Sequence, residues 1–388
     1  MTKDLERVKM AIHPAIVIIA YNRAEPLKRL LKSIERASYP DEGVTLIISI
    51  DAGGAKEVKT VADDFDWKHG EKKVIHRPEP LGLKKHVLLC SSYAMEYGSA
   101  IILEDDLYVA RDFYYFAMAA IEHSEKGEDA GRIAGVSLYN HLLNVHVREP
   151  FEAVDDGADN WYFQFASSWG QAYTASQWSA FKEWFDKNDN TPFPDSVPAF
   201  VRSWSDEKSW LKYFIRYVVQ EDKYFLYPRV SRTTNFGDEG THAVGQCCDL
   251  QVPLYRGPVG DSYDFSSLSD SVSVYDAFFE NAYLPSLFDR DIRIDLYGAK
   301  GAPESGLYLT CRYDGKGKLL KTYGRSLRPI DANISEDISG NDFFLIDMDV
   351  TGGGSSPVIP DETDKYLYNY RAFKAKYGVS IIKRRLFK

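Results

Sequence analysis

Long apolar runs are missing from this 388-residue sequence. No stretch approaches the ~20 apolar residues that a membrane-spanning helix needs, and the first apolar run, 15–20, is too short even for a signal-peptide core. Cysteine is scarce: Cys90, Cys247, Cys248 and Cys311 show neither zinc-ligand spacing nor the density of a disulfide scaffold, and they read as reduced thiols. These absences predict a cytoplasmic protein. Positive charge is in deficit too, because 57 acidic against 47 basic side chains give −10, which argues against a general nucleic-acid binder. No G-x-G-x-x-G follows the first apolar run and no G-x-x-x-x-G-K-[ST] occurs, which speaks against a dinucleotide oxidoreductase and a P-loop NTPase. There is no internal repeat.

What the chain does contain is a globular balance, 44% hydrophobic and 27% charged, over a length that suits two domains. AIVIIA (15–20) reads as a buried strand, followed by Tyr21-Asn22-Arg23 and a helix with Leu27, Leu30, Leu31 and Ile34 on one face. TLIISI (45–50) is a second strand, ending at Asp51 and punctuated by Gly53-Gly54; residues 73–76 form a third, and 83–97 a helix. AIIL (100–103) then runs straight into Glu104-Asp105-Asp106, ahead of a helix starting near Asp112. Strands alternating with helices predict an α/β fold, a mostly parallel sheet with helices on both faces. Ligands bind such sheets outside the carboxyl ends of the strands, which selects Tyr21 to Arg23, Asp51 and Glu104 to Asp106 for attention.

From about Val272 the pattern becomes alternating, in DIRIDLY (291–297), GLYLTCRY (306–313) and 319–323, with Gly315-Lys316-Gly317 as a turn. This predicts a smaller, β-rich C-terminal domain of antiparallel strands. The expected division is 1–260 catalytic, 261–350 accessory, and 351–388 a Gly/Ser-bearing linker with a basic amphipathic tail. Residues 371–388 hold seven Lys or Arg and no acid; taking those charges from a net −10 leaves −17. The tail is either a solvated terminal helix or one that rests on an anionic membrane, where each basic group contributes about 1 kcal/mol.

Three adjacent acids at a strand end repel one another and call for a cation. Hard carboxylate oxygens suit Mg²⁺ or Mn²⁺ together with substrate phosphates, whereas an acidic loop or helix cap is the alternative. Five segments in order, AYNR (20–23), SIDAG (49–53), ILEDDLYVARDFY (102–114), SSWGQAY (167–173) and PRVSRTTNFGDEGTH (228–242), resemble nucleotide-sugar glycosyltransferases of the GT-A fold. The resemblance covers roughly residues 14–250. It extends both to the N-acetylglucosaminyltransferase that starts complex N-glycan branching and to bacterial, family 2-like polysaccharide transferases.

That resemblance implies a GT-A sheet and an inverting transfer, hexosyl or N-acetylhexosaminyl, from a nucleoside-diphosphate sugar, expected to be UDP-linked. The acceptor it implies is a glycan or lipid-linked glycan, in surface polysaccharide assembly. It carries Arg23 and Asp51 onto the diphosphate and the uracil, Asp106 onto the Mn²⁺ or Mg²⁺, Asp105 onto the ribose, and Glu104 close to the donor. Lys85 and Trp169 are further donor-site candidates, Trp169 because an aromatic face suits the C–H face of a sugar. Arg232, Thr241 and His242 sit in a glycine-bearing stretch suited to a lid, with His242 a donor-site candidate. In the bacterial relatives the base is an aspartate three residues before a tryptophan; here Glu207 stands three before Trp210, with Asp206 beside it, and either can take the acceptor proton.

The cytoplasmic enzyme so implied works at the inner face of the membrane. Two readings stand beside it. A sugar nucleotidyltransferase shares the sheet and acids but calls for a glycine-rich loop where AYNRAEP has none, and a non-catalytic glycan-binding protein on the same fold would have no need of the intact acid triplet.

Overall fold

A computed structural model describes residues 13–41, 43–238, 249–260, 262–352 and 375–386. The chain divides into two compact units, one formed by 1–142 and 155–279, the other by 143–154 and 280–388. The boundary therefore falls at 279/280 rather than near 260, and a short excursion leaves the first unit for the second. Residues after 260 belong to the first unit because Val274–Tyr275 pairs with Asn160–Phe163 at the sheet edge, while Tyr263 and Phe265 pack edge-on against Phe116.

The first unit is built on a nine-stranded sheet. Its parallel half is β1 (Ala15–Ala20), β2 (Leu46–Ile50), β3 (Lys72–His76) and β4 (Ser99–Glu104), with β1 between β2 and β4. Beyond β4 lie Gln171–Thr174, antiparallel to both its neighbours, then Ile133–Ser137, Tyr224–Pro228, Asn160–Phe163 and Val274–Tyr275. Every residue of β1 and β2 is buried, the continuous apolar reading of a strand covered on both faces. Side-chain alternation sends Ile16, Ile18 and Ala20 into one core with Leu27, Leu30, Leu31 and Ile34 of α1 (Ala24–Glu35) and Val58 and Ala62 of α2 (Lys56–Asp64). Val17 and Ile19 are equally buried on the other face, the one that α3 (Gly82–Ser91) packs against. The predicted helix over 83–97 is two helices, interrupted at Ser92, whose hydroxyl donates to the Leu88 carbonyl at 3.0 Å.

The acidic strand end is held by a short antiparallel ribbon, Leu107–Val109 against Thr233–Asn235. Gly170 (φ +93°) lies under that ribbon, where a Cβ would come within 2.7 Å of Thr233 Cγ2, so only glycine fits. Arg232 anchors the other side: buried, it meets the equally buried Asp112 at 3.2 Å, donates to the Val230 carbonyl at 2.6 Å, and lies over the Phe116 and Tyr255 rings. Arg232 is thus a buried strut of this unit rather than part of a lid.

In the second unit four strands run in the order Ile292–Asp295, Leu307–Thr310, Phe343–Asp347, Lys318–Tyr323. The sheet is β-rich as expected, but its first two strands are parallel, and 307–310 does not form a hairpin with 318–323. The fully buried run FFLID inserts between them and takes the centre, leaving the mostly exposed 318–323 at the edge. The excursion 143–154 is tied in by a buried ion pair between Glu149 and Arg325.

Removing the acid from under Arg232 leaves a charge stranded in the core. Asp112→Ala is expected to cost about 3–5 kcal/mol in urea unfolding, and Asp112→Ala with Arg232→Met to recover most of it. Equal stability of the single and double variants would contradict a strut held by charge pairing.

Candidate functional site

Three parallel strands end at one place. Tyr21 to Arg23 follow β1, Asp51 follows β2, and Glu104 closes β4, so the chain's strand-end polar residues converge on a single cleft of about 470 Å³. That volume is within the range of small-molecule sites. Glu104, Asp105, Asp106, Arg23, Asn22, Asp51, His86, Lys208 and Asp238 supply its polar lining, with Tyr21 and Leu83 among the other surfaces.

Arg23 has no capping role at the start of α1, and its guanidinium reaches across to the acids instead. It donates to Asp106 Oδ2 at 2.9 Å and, through its other terminal nitrogen, to Asp105 Oδ1. Burial works against its charge, but the two aspartates more than offset this and raise its pKa. Burial also lifts Asp105 to about 6 in spite of Arg23. Glu104 is pushed well above the ordinary carboxylate range by burial and by the charges of Asp106 and Asp105. Arg23 pairs with the two aspartates and not with Glu104, and the crowding of the three acids shows in the raised pKa of Glu104.

No three His, Cys, Asp or Glu side chains among the described residues converge so as to hold a metal by themselves. A divalent cation held here by one or two carboxylates would take its other ligands from water or from substrate phosphates, the habit of Mg²⁺ and Mn²⁺. Asp106, a hard-oxygen donor about a quarter exposed on the cleft, fits that demand.

Asp51 is fixed by its acceptor duties. Its carboxylate takes the backbone N–H groups of Ala52, Leu81 and Gly82, each at 2.9 Å, and so caps α3, whose own capping position, Leu81, offers no side-chain bond. Gly54 allows the turn after Asp51 to lie on the Tyr21 backbone, where a Cβ would meet the Tyr21 carbonyl oxygen at 1.9 Å. Sequence reasoning passed over His86, buried in α3 on the cleft wall. Its Nε2 is 2.7 Å from Ser49 Oγ, which accepts from Arg77 Nε at 3.0 Å. Ser49 Oγ thereby links His86 to Arg77 in one buried polar chain. Burial pushes the His86 pKa down to about 4, the charge of Arg77 assisting against that of Asp51. The signal was present as a polar residue on an otherwise apolar helix face.

The remaining expected residues are placed variously. Lys85 is exposed and does not line the cleft; its neighbour Lys84 donates to the Asp206 carbonyl at 3.0 Å and rests on the Tyr213 ring. Trp169 is half-buried against Tyr139 and is not among the cleft residues. Glu207 is exposed on the loop whose next residue, Lys208, lines the cleft. Asp206 turns its carboxylate to Lys212 at 2.6 Å, and that hydrogen bond lowers its pKa. Asp238, also unforeseen, joins the wall through an ion pair with Arg29, whose guanidinium lies over Phe236. Thr241, His242 and the Cys247-Cys248 pair lie outside the described residues.

A mostly parallel sheet with acids, an arginine and a capping aspartate gathered at its strand ends defines a GT-A architecture. Residues 15–164, which hold all of those groups, match the model of glycosyl transferase family 2. No curated protein matches the chain. Among solved structures, S. aureus TarS 1-349 is 12% identical over 56% of this chain and 59% of its own, with a TM-score of 0.36. The same fragment in complex with UDP-GlcNAc is 13% identical over 59% and 60%, TM-score 0.34. The mannosyltransferase PcManGT from Pyrobaculum calidifontis, in complex with GDP-Man and Mn²⁺, is 13% identical over 57% and 58%, TM-score 0.33. The chain thus spans less than two thirds of the length of each.

His86 gives a pH signature. With a folded pKa of about 4 against 6.5 unfolded, it favours the folded state fully above pH 6.5, and that contribution falls away as the pH drops towards 4. The wild type should lose about 2–3 kcal/mol from this source over the window, and His86→Gln should show a correspondingly flatter urea midpoint against pH. Parallel profiles would refute the assignment.

Proposed function

We propose that the protein is an inverting, divalent-metal-dependent glycosyltransferase. It moves a hexosyl or N-acetylhexosaminyl group from a UDP-sugar to a glycan or lipid-linked glycan acceptor in surface polysaccharide biosynthesis. The observation that carries the reading is the crowded Glu104-Asp105-Asp106 cluster, with Arg23, in a cleft that also presents Asp51. A site built this way is completed by a metal and a diphosphate arriving together.

In this reading Asp106 holds the Mn²⁺ or Mg²⁺, which supplies Lewis-acid stabilisation of the departing nucleoside diphosphate. Arg23 turns from the aspartates to the phosphates, its fork matching their oxygens. Asp105 faces the ribose. Asp51, immobilised by three backbone N–H groups, offers its remaining acceptor capacity to the base, and Tyr21 offers an exposed ring as a stacking surface. Glu207 takes the proton of the acceptor hydroxyl as that oxygen attacks the anomeric carbon. Asp206 is the poorer base, because Lys212 already holds its carboxylate and depresses its proton affinity. Lys85, Trp169 and His242 are kept as donor-side residues of a second rank.

The acceptor side calls for a membrane surface. No helix among the described residues is long and apolar enough to cross a bilayer. The terminal helix Ala375–Leu386, however, carries Val379, Ile382 and Leu386 at 53%, 58% and 73% exposure, three apolar side chains on one face of a segment without acids. That pairing of apolar face and positive charge supports a peripheral position on the inner face, through anionic lipids.

Calorimetric titration with UDP-, GDP-, TDP- and CMP-sugars, with Mn²⁺ and with EDTA, tests the donor site. One nucleotide should bind only with Mn²⁺ and fail to bind Asp106→Asn. Glu207→Gln should keep that affinity while kcat falls by about 10²–10⁴; unchanged turnover would move the base elsewhere. Truncation after residue 370 should abolish flotation with anionic vesicles.

A further inference from the structure

A second cavity, of about 700 Å³, lies in the first unit away from the acid cluster. It opens between the C-terminal end of α1 (Ser33, Arg36), the ribbon strand and its continuation (Tyr108 to Arg111), and the segment 254–257. Its charged lining is entirely positive: Arg36, Arg111 and Arg256, all exposed. None of the three is in an ion pair among the described residues, although the chain as a whole carries −10. Glu35, next to Arg36 on α1, is exposed and does not line the cavity.

The walls are tied to the fold. The Ser38 N–H donates to the Arg111 carbonyl at 2.8 Å, the Val109 N–H to Ser33 Oγ at 3.2 Å, and the Tyr255 N–H to the Ser231 carbonyl at 2.9 Å. Tyr255 is also held from beneath by the buried Arg232, 4.3 Å from its ring centre. Three arginines and no acid line this one cavity, so an anion entering it meets charge of the opposite sign only. A lone carboxylate would leave two of them uncompensated, whereas a phosphate ester brings a charge of about −1.5 to −2 and three acceptor oxygens for guanidinium forks. The Tyr108 and Tyr255 rings add flat apolar surface of the kind that packs against a sugar.

We propose that this cavity is a second anion site, which binds the phosphate groups of a phosphorylated saccharide independently of the donor cleft. The ligand is either a soluble sugar phosphate or the same chemistry presented by a lipid headgroup. It does not rest on the transferase reading, since the two cavities share no lining residue.

The test is titration of the full chain with inorganic pyrophosphate in EDTA, which disables any metal-dependent site. The Kd is expected to weaken by about tenfold or more in Arg36→Gln/Arg111→Gln/Arg256→Gln and to change less than about twofold in Arg23→Gln. Pyrophosphate binding equal to wild type in the triple variant, or lost in Arg23→Gln alone, overturns the proposal. Should the triple variant not fold, Arg36→Gln and Arg256→Gln singly, each weakening binding several-fold, decide the matter. For the source, wild-type flotation on phosphatidic acid vesicles that exceeds that of the triple variant identifies a lipid headgroup; equal flotation of the two, with the calorimetric loss intact, identifies a soluble phosphate.

Discussion

The repulsion among Glu104, Asp105 and Asp106 is the constraint around which this molecule is arranged. It is generated where β4 runs out of apolar residues and is relieved in part by Arg23, which reaches it from the end of the adjacent β1. Parallel neighbours bring their ends together on one side of a sheet, so a residue after β1 can meet residues after β4 although some eighty positions separate them. The buried struts elsewhere serve the same corner. Arg232 with Asp112, and Gly170 beneath Thr233, fix the ribbon that continues directly from the acids.

Much of this was legible in the residues. The apolar AIVIIA and the nearly apolar LIISI, each short and β-branched, read as strands covered on both faces, and the polar residues after them marked the open edge of the sheet. Arg23, Asp51 and the acid triplet were identified from those positions, and the cleft contains all five. Long-range order was less legible. FFLID looked no different from any short apolar run, and nothing local says that it slips between 307–310 and 318–323 to make the C-terminal sheet mixed. Nor could residues 261–279 be assigned to the first unit, since their tie is a two-residue edge pairing, aromatic contacts and hydrogen bonds to residues far away in the sequence, such as Asn160 and Asp159.

Side-chain direction was the other blind spot. Lys84 and Lys85 are adjacent on one helix, and only the folded chain shows that Lys84 engages the 206 loop while Lys85 faces solvent. The same holds for His86, whose chemistry comes from Ser49 and Arg77 on other elements. Asp206 and Glu207 were indistinguishable as types; the buried Lys212 separates them by occupying one and not the other.

The excursion of residues 143–154 into the second unit has a consequence for synthesis on the ribosome. That segment emerges in the middle of the first unit, yet its partners, beginning at Glu280 and including Arg325, emerge more than a hundred residues later. At roughly 5–20 residues per second the wait is about 6–25 s. During it Arg325 has yet to reach Glu149, and the 143–154 loop must remain outside the first unit's growing core. The two units therefore cannot mature as beads on a string: the second begins before the first is finished and closes only after it.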